Sequence, residues 1–275
     1  MTETTRSFPN KFIEQGLEKI IQAFPDRLIV PKIAELGSGS GRVGLAAWKY
    51  YYDKTGSEPE LILVDNDSEW FVGSSNQQIT NRDTLEKACL ELGLPDVPHS
   101  VNYKVVDLIG YLSCTKNRHG LVLMRSVLQF IDKSPYQVFK NIADSVYPGG
   151  SFIHACFCCP DEESKLFYRK MTEYYLSIAT KSKFKRKALT MQDILSSTVN
   201  YFQSVKVRGS YNLDLDPKYV IERFGISIDQ ANEFGRIVLP NILRQYPKAK
   251  SSLNIKIGDD FRIDIPYFVI KAEKS

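Results

Sequence analysis

The sequence predicts an open, doubly wound α/β fold, and three observations support this prediction. Short apolar segments alternate with segments of helical periodicity over most of residues 10–157. The apolar segments are hydrophobic on both faces, which is typical of strands in a parallel sheet covered by helices on each side. A glycine-rich turn follows the first apolar segment and precedes a helical one, as in sheets that bind a ligand beyond the carboxyl ends of their strands.

The predicted strands and helices alternate as this fold requires. The strands are predicted at Lys32–Leu36, Leu61–Asp65, Val101–Val106, Leu121–Met124, Ser151–Phe157, Ser204–Gly209 and Tyr267–Ala272. The helices are predicted at Asn10–Phe24, Val43–Tyr52, Asn81–Leu92, Tyr136–Val146, Asp161–Ala179, Met191–Leu195, Pro217–Phe224 and Ile228–Gln245. Because no repeat or linker divides the chain, we predict a single domain over residues 1–275. The helical insertion at 211–262, between the last two strands, is predicted to cover the substrate.

Composition excludes several classes of protein. Of the 275 residues, 43% are hydrophobic and 25% charged, which excludes a disordered chain, a collagen and a disulfide-stapled miniprotein. No apolar run approaches the roughly 18 residues that span a membrane, and the N-terminus does not resemble a signal peptide. Five cysteines, an odd number, predict reduced thiols and a cytoplasmic protein. A net charge of +4 and a pI near 8.6 are below the level typical of a dedicated nucleic-acid-binding protein.

The glycine-rich turn carries the most specific signal. Residues Glu35–Gly44 have the sequence ELGSGSGRVG. Glycines at such a turn let the backbone approach a ligand, and the following helix presents free N–H groups. Gly39, Gly41 and Gly44 also fit the dinucleotide fingerprint, so a nicotinamide or flavin enzyme, and a tight turn without a ligand, remain open at this point.

Acidic residues at the ends of the first three predicted strands favour one class of ligand. Glu35 lies two residues before the first glycine, where its carboxylate would repel a pyrophosphate and attract a positively charged amino or sulfonium group. Asp65 ends the second strand, a position from which a carboxylate accepts hydrogen bonds from ribose hydroxyls. Asp107 ends the third strand and would suit an adenine amino group. Three carboxylates around a glycine turn favour a cationic nucleoside over a dinucleotide.

With these segments in this order, the chain resembles the class I S-adenosylmethionine-dependent methyltransferases over about Ile33–Phe157. Glu35–Gly41 resembles their first motif. Leu61–Asp65 is similar to their ribose-binding strand, and Val105–Leu108 is similar to their adenine-contacting segment. Leu121–Ile131 is similar to their fourth strand with its active-site turn, and Tyr147–Ile153 is similar to the turn before their fifth strand. The resemblance implies a Rossmann-like seven-stranded sheet of order 3-2-1-4-5-7-6 and S-adenosyl-L-methionine as cofactor. It also implies an N-terminal helical cap at residues 1–30. It implies these cofactor-binding residues: Glu35, Gly37, Ser38, Gly39, Gly41, Asp65, Asn66, Asp107, Leu108 and Arg125.

The turn after the fourth predicted strand bears on the acceptor. Met124-Arg-Ser-Val lacks the Asn/Asp-Pro-Pro-aromatic sequence of family members that methylate exocyclic amines of bases or glutamine. We therefore expect methyl transfer to an O, N or C atom of a small-molecule acceptor, with Gln129, Cys158 and Phe12 as candidate substrate contacts. No catalytic residue is assigned, because displacement from a sulfonium needs alignment of the reactants more than it needs a base.

Other clusters lead to alternatives. Lys181–Lys187 holds five cations in seven residues, and it would serve a protein or RNA methyltransferase. A nicotinamide-dependent oxidoreductase, and a protein that binds the cofactor without transferring its methyl group, are further alternatives. Cys156, Cys158 and Cys159 lack the spacing of a zinc site, so no metal is predicted. His99 and His119 are expected at the solvated rim opposite the ligand.

Overall fold

A seven-stranded sheet of order β3-β2-β1-β4-β5-β7-β6 forms the framework of the protein. The computed structural model of the chain describes residues 10–68, 84–180 and 187–275. The strands are β1 Lys32–Leu36, β2 Glu60–Asp65, β3 Val101–Val105, β4 His119–Arg125, β5 Val146–Phe157, β6 Ser204–Leu215 and β7 Ile263–Glu273. The predicted doubly wound fold and strand order are confirmed.

The helices that connect these strands are mostly those predicted. They are α1 Asn10–Ile21, α2 Arg42–Thr55, α3 Leu85–Glu91, α4 Leu108–Ser113, α5 Pro135–Ser145, α6 Glu162–Ile178, α7 Met191–Val199, α8 Pro217–Phe224, α9 Ile228–Glu233, α10 Leu239–Gln245 and α11 Lys248–Ser252. The short helices α4 and α11 have no counterpart in the prediction, because segments of five or six residues are too short to show a helical period. None of the described helices is both long enough and apolar enough to cross a bilayer.

The direction of the strands locates the ligand-binding edge. β1 pairs in parallel with β2 on one side and with β4 on the other, so the chain winds outward to β3 and then returns to the opposite side of β1. Between β1 and β4 lies the switch point at which doubly wound sheets bind their ligands. β7 runs antiparallel to β5, since Gly149 and Lys274 are hydrogen-bonded near one end of the pair and Cys158 and Pro266 near the other.

The chain divides into two compact units. Among the described residues, the first comprises 10–13, 157–180, 187–194 and 210–268, and the second comprises 14–68, 84–156, 195–209 and 269–275. The predicted insertion at 211–262 lies entirely within the first unit. Residues 1–9 of the predicted N-terminal cap at 1–30 lie outside the described residues.

The core of the second unit lies between the central strands and α2. Side chains of β1, β2 and β4 are almost completely buried, as are Leu45 and Trp48 of α2. The edge strand β3 differs, because Tyr103 is 46% exposed and Val105 is 49% exposed. The expectation that every strand is covered on both faces is therefore wrong for β3.

Aromatic side chains form the core of the first unit. Tyr175 of α6 stacks in parallel on Phe224 at a centroid distance of 4.9 Å, and it also packs on Phe234. The single helix predicted at Ile228–Gln245 is interrupted by a π-helical turn at Phe234–Val238. The interruption has a physical cause, since Pro240 has no N–H with which to continue the α-helical hydrogen bonds.

Candidate functional site

The glycine-rich turn joins β1 to α2 at the switch point of the sheet. Gly37, Gly39 and Gly41 all have positive φ, at 64°, 52° and 76°. The N–H of Ser38 donates to the carbonyl of Val64 on β2 at 3.0 Å, and the N–H of Gly41 donates to the carbonyl of Ser38 at 2.9 Å. The turn is thus anchored on the neighbouring strand, and it requires a conformation that L-residues rarely adopt.

Gly37 also makes room for the turn that follows β4. A Cβ at this position would lie 2.4 Å from Cγ2 of Val127, a separation that real side chains do not show. We expect Gly37→Ala to lower the free energy of unfolding by roughly 2–4 kcal/mol, from conformational strain plus overpacking. Urea unfolding followed by circular dichroism would measure this.

Gly56→Ala is the matched control for that prediction. Gly56 has φ 68° but no atom within 4 Å of its hypothetical Cβ, so alanine there would show the conformational strain alone, about 1 kcal/mol. Equal losses at the two positions would contradict the close packing of Gly37 on Val127.

Glu35 points inward and holds the start of α2. Its carboxyl is 3% exposed, and Oε2 accepts a hydrogen bond from the N–H of Gly44 at 2.7 Å. Burial raises the pKa of Glu35 to about 8, against the opposing effects of that hydrogen bond and of the charges of Arg125 and Arg42. The Glu35 carboxyl therefore carries less negative charge at neutral pH than predicted. Glu35 consequently contributes less than predicted to the preference for a cationic ligand.

Asp65 is placed at the ligand-binding edge by the end of β2. Its Oδ2 accepts a hydrogen bond from the N–H of Gly39 at 2.8 Å, and Oδ1 accepts one from the N–H of Asp67 at 3.1 Å. Burial is the largest influence on the pKa of Asp65 and raises it. Each carboxylate oxygen can accept a second hydrogen bond, so both remain able to bind hydroxyl groups. Asn66, which follows directly, is exposed.

Asp107 and Leu108 lie beyond β3, at the start of α4. Oδ2 of Asp107 accepts a hydrogen bond from the N–H of Gly110 at 3.0 Å, so the side chain caps the helix. Asp107 is exposed and Leu108 is half-buried. This capping role was not predicted for Asp107, and it accounts for an aspartate at this position without any ligand.

The turn after β4 brings polar side chains to the other side of the switch point. Arg125 ends β4, Ser126 has a positive φ of 57°, and Gln129 lies in a single 3₁₀ turn with 4% of its surface exposed. Oε1 and Nε2 of Gln129 and Oγ of Ser126 are buried, and none has a hydrogen-bond partner among the described residues.

Ser38 shows the same feature on the β1 side, where its buried Oγ has no hydrogen-bond partner in the described part of the chain. Buried polar groups without partners are costly and therefore rare in folded proteins. Ser38 follows β1, whereas Ser126 and Gln129 follow β4, so these unsatisfied polar groups lie in the two turns that flank the switch point. Ser126 could not be predicted, because its place after a strand is the only signal for it in the sequence.

Phe12 and Cys158, two of the three candidate substrate contacts, belong to the first unit. Phe12 is buried and packs on Tyr211 and Tyr267, at centroid distances of 5.0 and 4.9 Å. Cys158 is fully buried, and its N–H donates to the carbonyl of Pro266. Each of the two therefore has a packing role, and their contact with a substrate stays a prediction.

The remaining candidates give mixed results. His119 is fully buried and lies 3.0 Å from the Tyr111 hydroxyl, so its expected place on a solvated rim is wrong, whereas His99 is exposed. Burial lowers the pKa of His119 to about 4, so it is neutral at physiological pH. In the described ranges, no three His, Cys, Asp or Glu side chains are grouped to hold a metal ion. Most of the basic segment Lys181–Lys187 lies outside the described residues.

Solved structures with a similar fold include methyltransferases. The sequence matches no protein-family profile and no curated protein. Among solved structures, the YcgJ protein of Bacillus subtilis has a TM-score of 0.66 at 14% identity, with 95% of this chain and 98% of that chain covered. The geranyl diphosphate C-methyltransferase of Streptomyces coelicolor, in complex with Mg²⁺, geranyl diphosphate and S-adenosyl-L-homocysteine, has a TM-score of 0.52 at 9% identity, covering 97% of this chain and 80% of that chain.

A third structure, an N-methyltransferase of Haemonchus contortus, is in complex with phosphomonomethylethanolamine and S-adenosylhomocysteine. It has a TM-score of 0.52 at 16% identity, with 95% of this chain and 53% of that chain covered. At these identities the similarity establishes the fold alone.

Proposed function

We propose that the protein is an S-adenosyl-L-methionine-dependent methyltransferase that acts on a small-molecule acceptor. The observation that carries the proposal is the Asp65 carboxylate, held against the glycine turn by the N–H of Gly39 at the end of β2. This arrangement supports a role for Asp65 as the acceptor of two hydrogen bonds from a nucleoside's ribose, next to a glycine turn whose backbone a ligand can approach closely.

The residues around the switch point fit the cofactor. Gly37, Gly39 and Gly41 leave the turn without side chains, and the buried Oγ of Ser38 offers a polar contact that the described residues do not use. Arg125 ends β4, and Gln129 lies in the turn that follows it, on the β4 side of the switch point. When bound, the cofactor supplies a methyl group on a sulfonium, a leaving group that needs no activation.

The protein's contribution is then alignment and exclusion of water. The buried Gln129 amide can fix a polar group of the cofactor or of the acceptor, because both its oxygen and its nitrogen are available. His119 is neutral and buried in the packed interior, where its Nε2 is hydrogen-bonded to the Tyr111 hydroxyl. Support for a small-molecule acceptor comes from the two structural neighbours that hold S-adenosylhomocysteine together with a small substrate.

The strand order argues against the nicotinamide alternative. A dinucleotide-binding sheet has the order 3-2-1-4-5-6, whereas here β7 lies between β5 and β6 and runs antiparallel to β5. The glycine turn and Asp65 alone would serve either cofactor, so the order of the last strands decides between them.

Cofactor binding tests the proposal directly. We expect S-adenosylhomocysteine and S-adenosyl-L-methionine to raise the unfolding temperature in a saturable manner, because both bind only the folded state. NADH is the control, and it is expected to leave the temperature unchanged. Stabilisation by NADH and not by either sulfur nucleoside would contradict the proposal.

A further inference from the structure

The first unit contains a small cavity that the proposed function does not use. Its walls come from α6, α8, the end of β6 and the start of β7, and they are mostly aromatic and aliphatic. The cavity measures about 20 Å³, on a scale on which one water needs roughly 10–15 Å³. This is room for a group of about the size of one water molecule, such as a carboxylate oxygen, with the rest of any larger molecule outside.

Arg223, in the last turn of α8, is the one charged residue among those that line this cavity. Its guanidinium makes no ion pair with any described carboxylate. By contrast, Arg236 pairs with Asp259, and Arg262 pairs with Asp214 and Asp264, in the same unit. Burial lowers the pKa of Arg223 to about 10, so the group stays charged at neutral pH. A partly buried cation without a counter-charge is unfavourable unless an anion joins it.

Tyr175 provides a second, independent observation at the same cavity. Its side chain lines the cavity and is completely buried, and its hydroxyl has no hydrogen-bond partner among the described residues. The ring is held by Phe224 and Phe234, so the hydroxyl cannot easily move to find a partner. The residues that line the cavity therefore include an arginine without an ion-pair partner and a tyrosine with an unsatisfied buried hydroxyl, among mostly apolar side chains.

We propose that this cavity is a binding site for the carboxylate group of a small molecule with an apolar body. A carboxylate matches the planar fork of a guanidinium with two parallel hydrogen bonds, and it can accept a third from a phenol. The volume favours a carboxylate over a phosphate, which is tetrahedral and larger. The mostly apolar lining favours a weakly hydrated anion, such as a carboxylate carried on a hydrocarbon, over a strongly hydrated one.

The test uses phenylacetate and its uncharged isostere phenylacetamide as probes of the full chain. In protein labelled with ¹⁵N-arginine, the Nε–H signal of Arg223 is the one that disappears in Arg223→Lys. We expect phenylacetate to shift this signal saturably, with an affinity at least tenfold above those for phenylacetamide and inorganic phosphate. Equal affinity for the acid and the amide, or the absence of a saturable shift, would overturn the proposal. A higher affinity for phosphate would also overturn the carboxylate assignment.

Variants complete the test. Arg223→Gln is expected to weaken phenylacetate binding, measured calorimetrically, at least tenfold, and Arg223→Lys severalfold. Arg244→Gln, at an exposed arginine of the same unit that bonds to Asn241, is the matched control and is expected to leave the affinity unchanged. If Arg223→Gln does not fold, Arg223→Lys carries the comparison, and unchanged affinity in the folded variant would refute the site.

Binding of S-adenosylhomocysteine is measured on the same variants. Its presence or absence tests the proposed function, and the phenylacetate titration tests the cavity, so one can fail without the other.

Discussion

Replacing Asp65 with alanine is expected to raise the dissociation constant for S-adenosylhomocysteine more than a hundredfold, or by about 3 kcal/mol. Two charge-assisted hydrogen bonds to the ribose would be lost, each contributing about 1.5–3 kcal/mol, in part offset by easier desolvation of the site. The change also leaves the N–H of Gly39 without its present acceptor, which loosens the glycine turn. Isothermal titration calorimetry would measure the affinity.

Two further variants separate charge, turn geometry and general effects. Asp65→Asn keeps an oxygen that can accept from the N–H of Gly39, so it is expected to retain the turn and to lose less affinity than the alanine variant. Asp53→Ala removes an exposed carboxylate from α2 and is expected to have no effect. If Asp65→Ala binds within twofold of the parent protein while remaining folded, the assignment of Asp65 to the ribose is wrong.

The stability of the protein is expected to fall as the pH rises from about 4.5 to about 8, because of Glu35. The carboxyl has a usual pKa of 4.5 in the unfolded chain and a pKa of about 8 in the folded protein. Below pH 4.5 it is protonated in both states, whereas between these values the folded protein alone keeps the proton. The free energy of unfolding should therefore decrease by up to about 1.4 kcal/mol per pH unit over this window, as far as Glu35 contributes.

Glu35→Gln isolates this contribution. Glutamine is neutral at every pH and keeps an oxygen that can accept from the N–H of Gly44. We expect urea unfolding of the variant to depend less on pH between 5 and 8, and the variant to be more stable than the parent protein above pH 8 by a few kcal/mol. Parallel pH profiles for the two proteins would show that the Glu35 carboxyl is already ionised in the folded state.

Asp65 could be predicted from the sequence, whereas the cavity in the first unit could not. Asp65 could be predicted because it ends an apolar strand beside a glycine turn, so its place depends on local sequence and on the rule that parallel strands end at one edge. Arg223 could not, because a basic residue in the last turn of a helix is ordinarily explained by the helix dipole. Its significance depends on the absence of a nearby carboxylate, which only the packing of α6, α8 and two strands reveals.

The sequence by itself determined the fold, the strand order through the resemblance, and the position of the glycine turn. These follow from apolar periodicity and from backbone conformations that only glycine readily adopts. Both depend on residues that are close together in the sequence. Only the tertiary structure decided that Glu35 points inward to the start of α2, that Asp107 caps a helix, and that Ser38, Ser126 and Gln129 have buried polar atoms without partners. Protonation and hydrogen bonding depend on which groups become neighbours after folding and on how much water remains between them, and neighbours distant in sequence have no local signature.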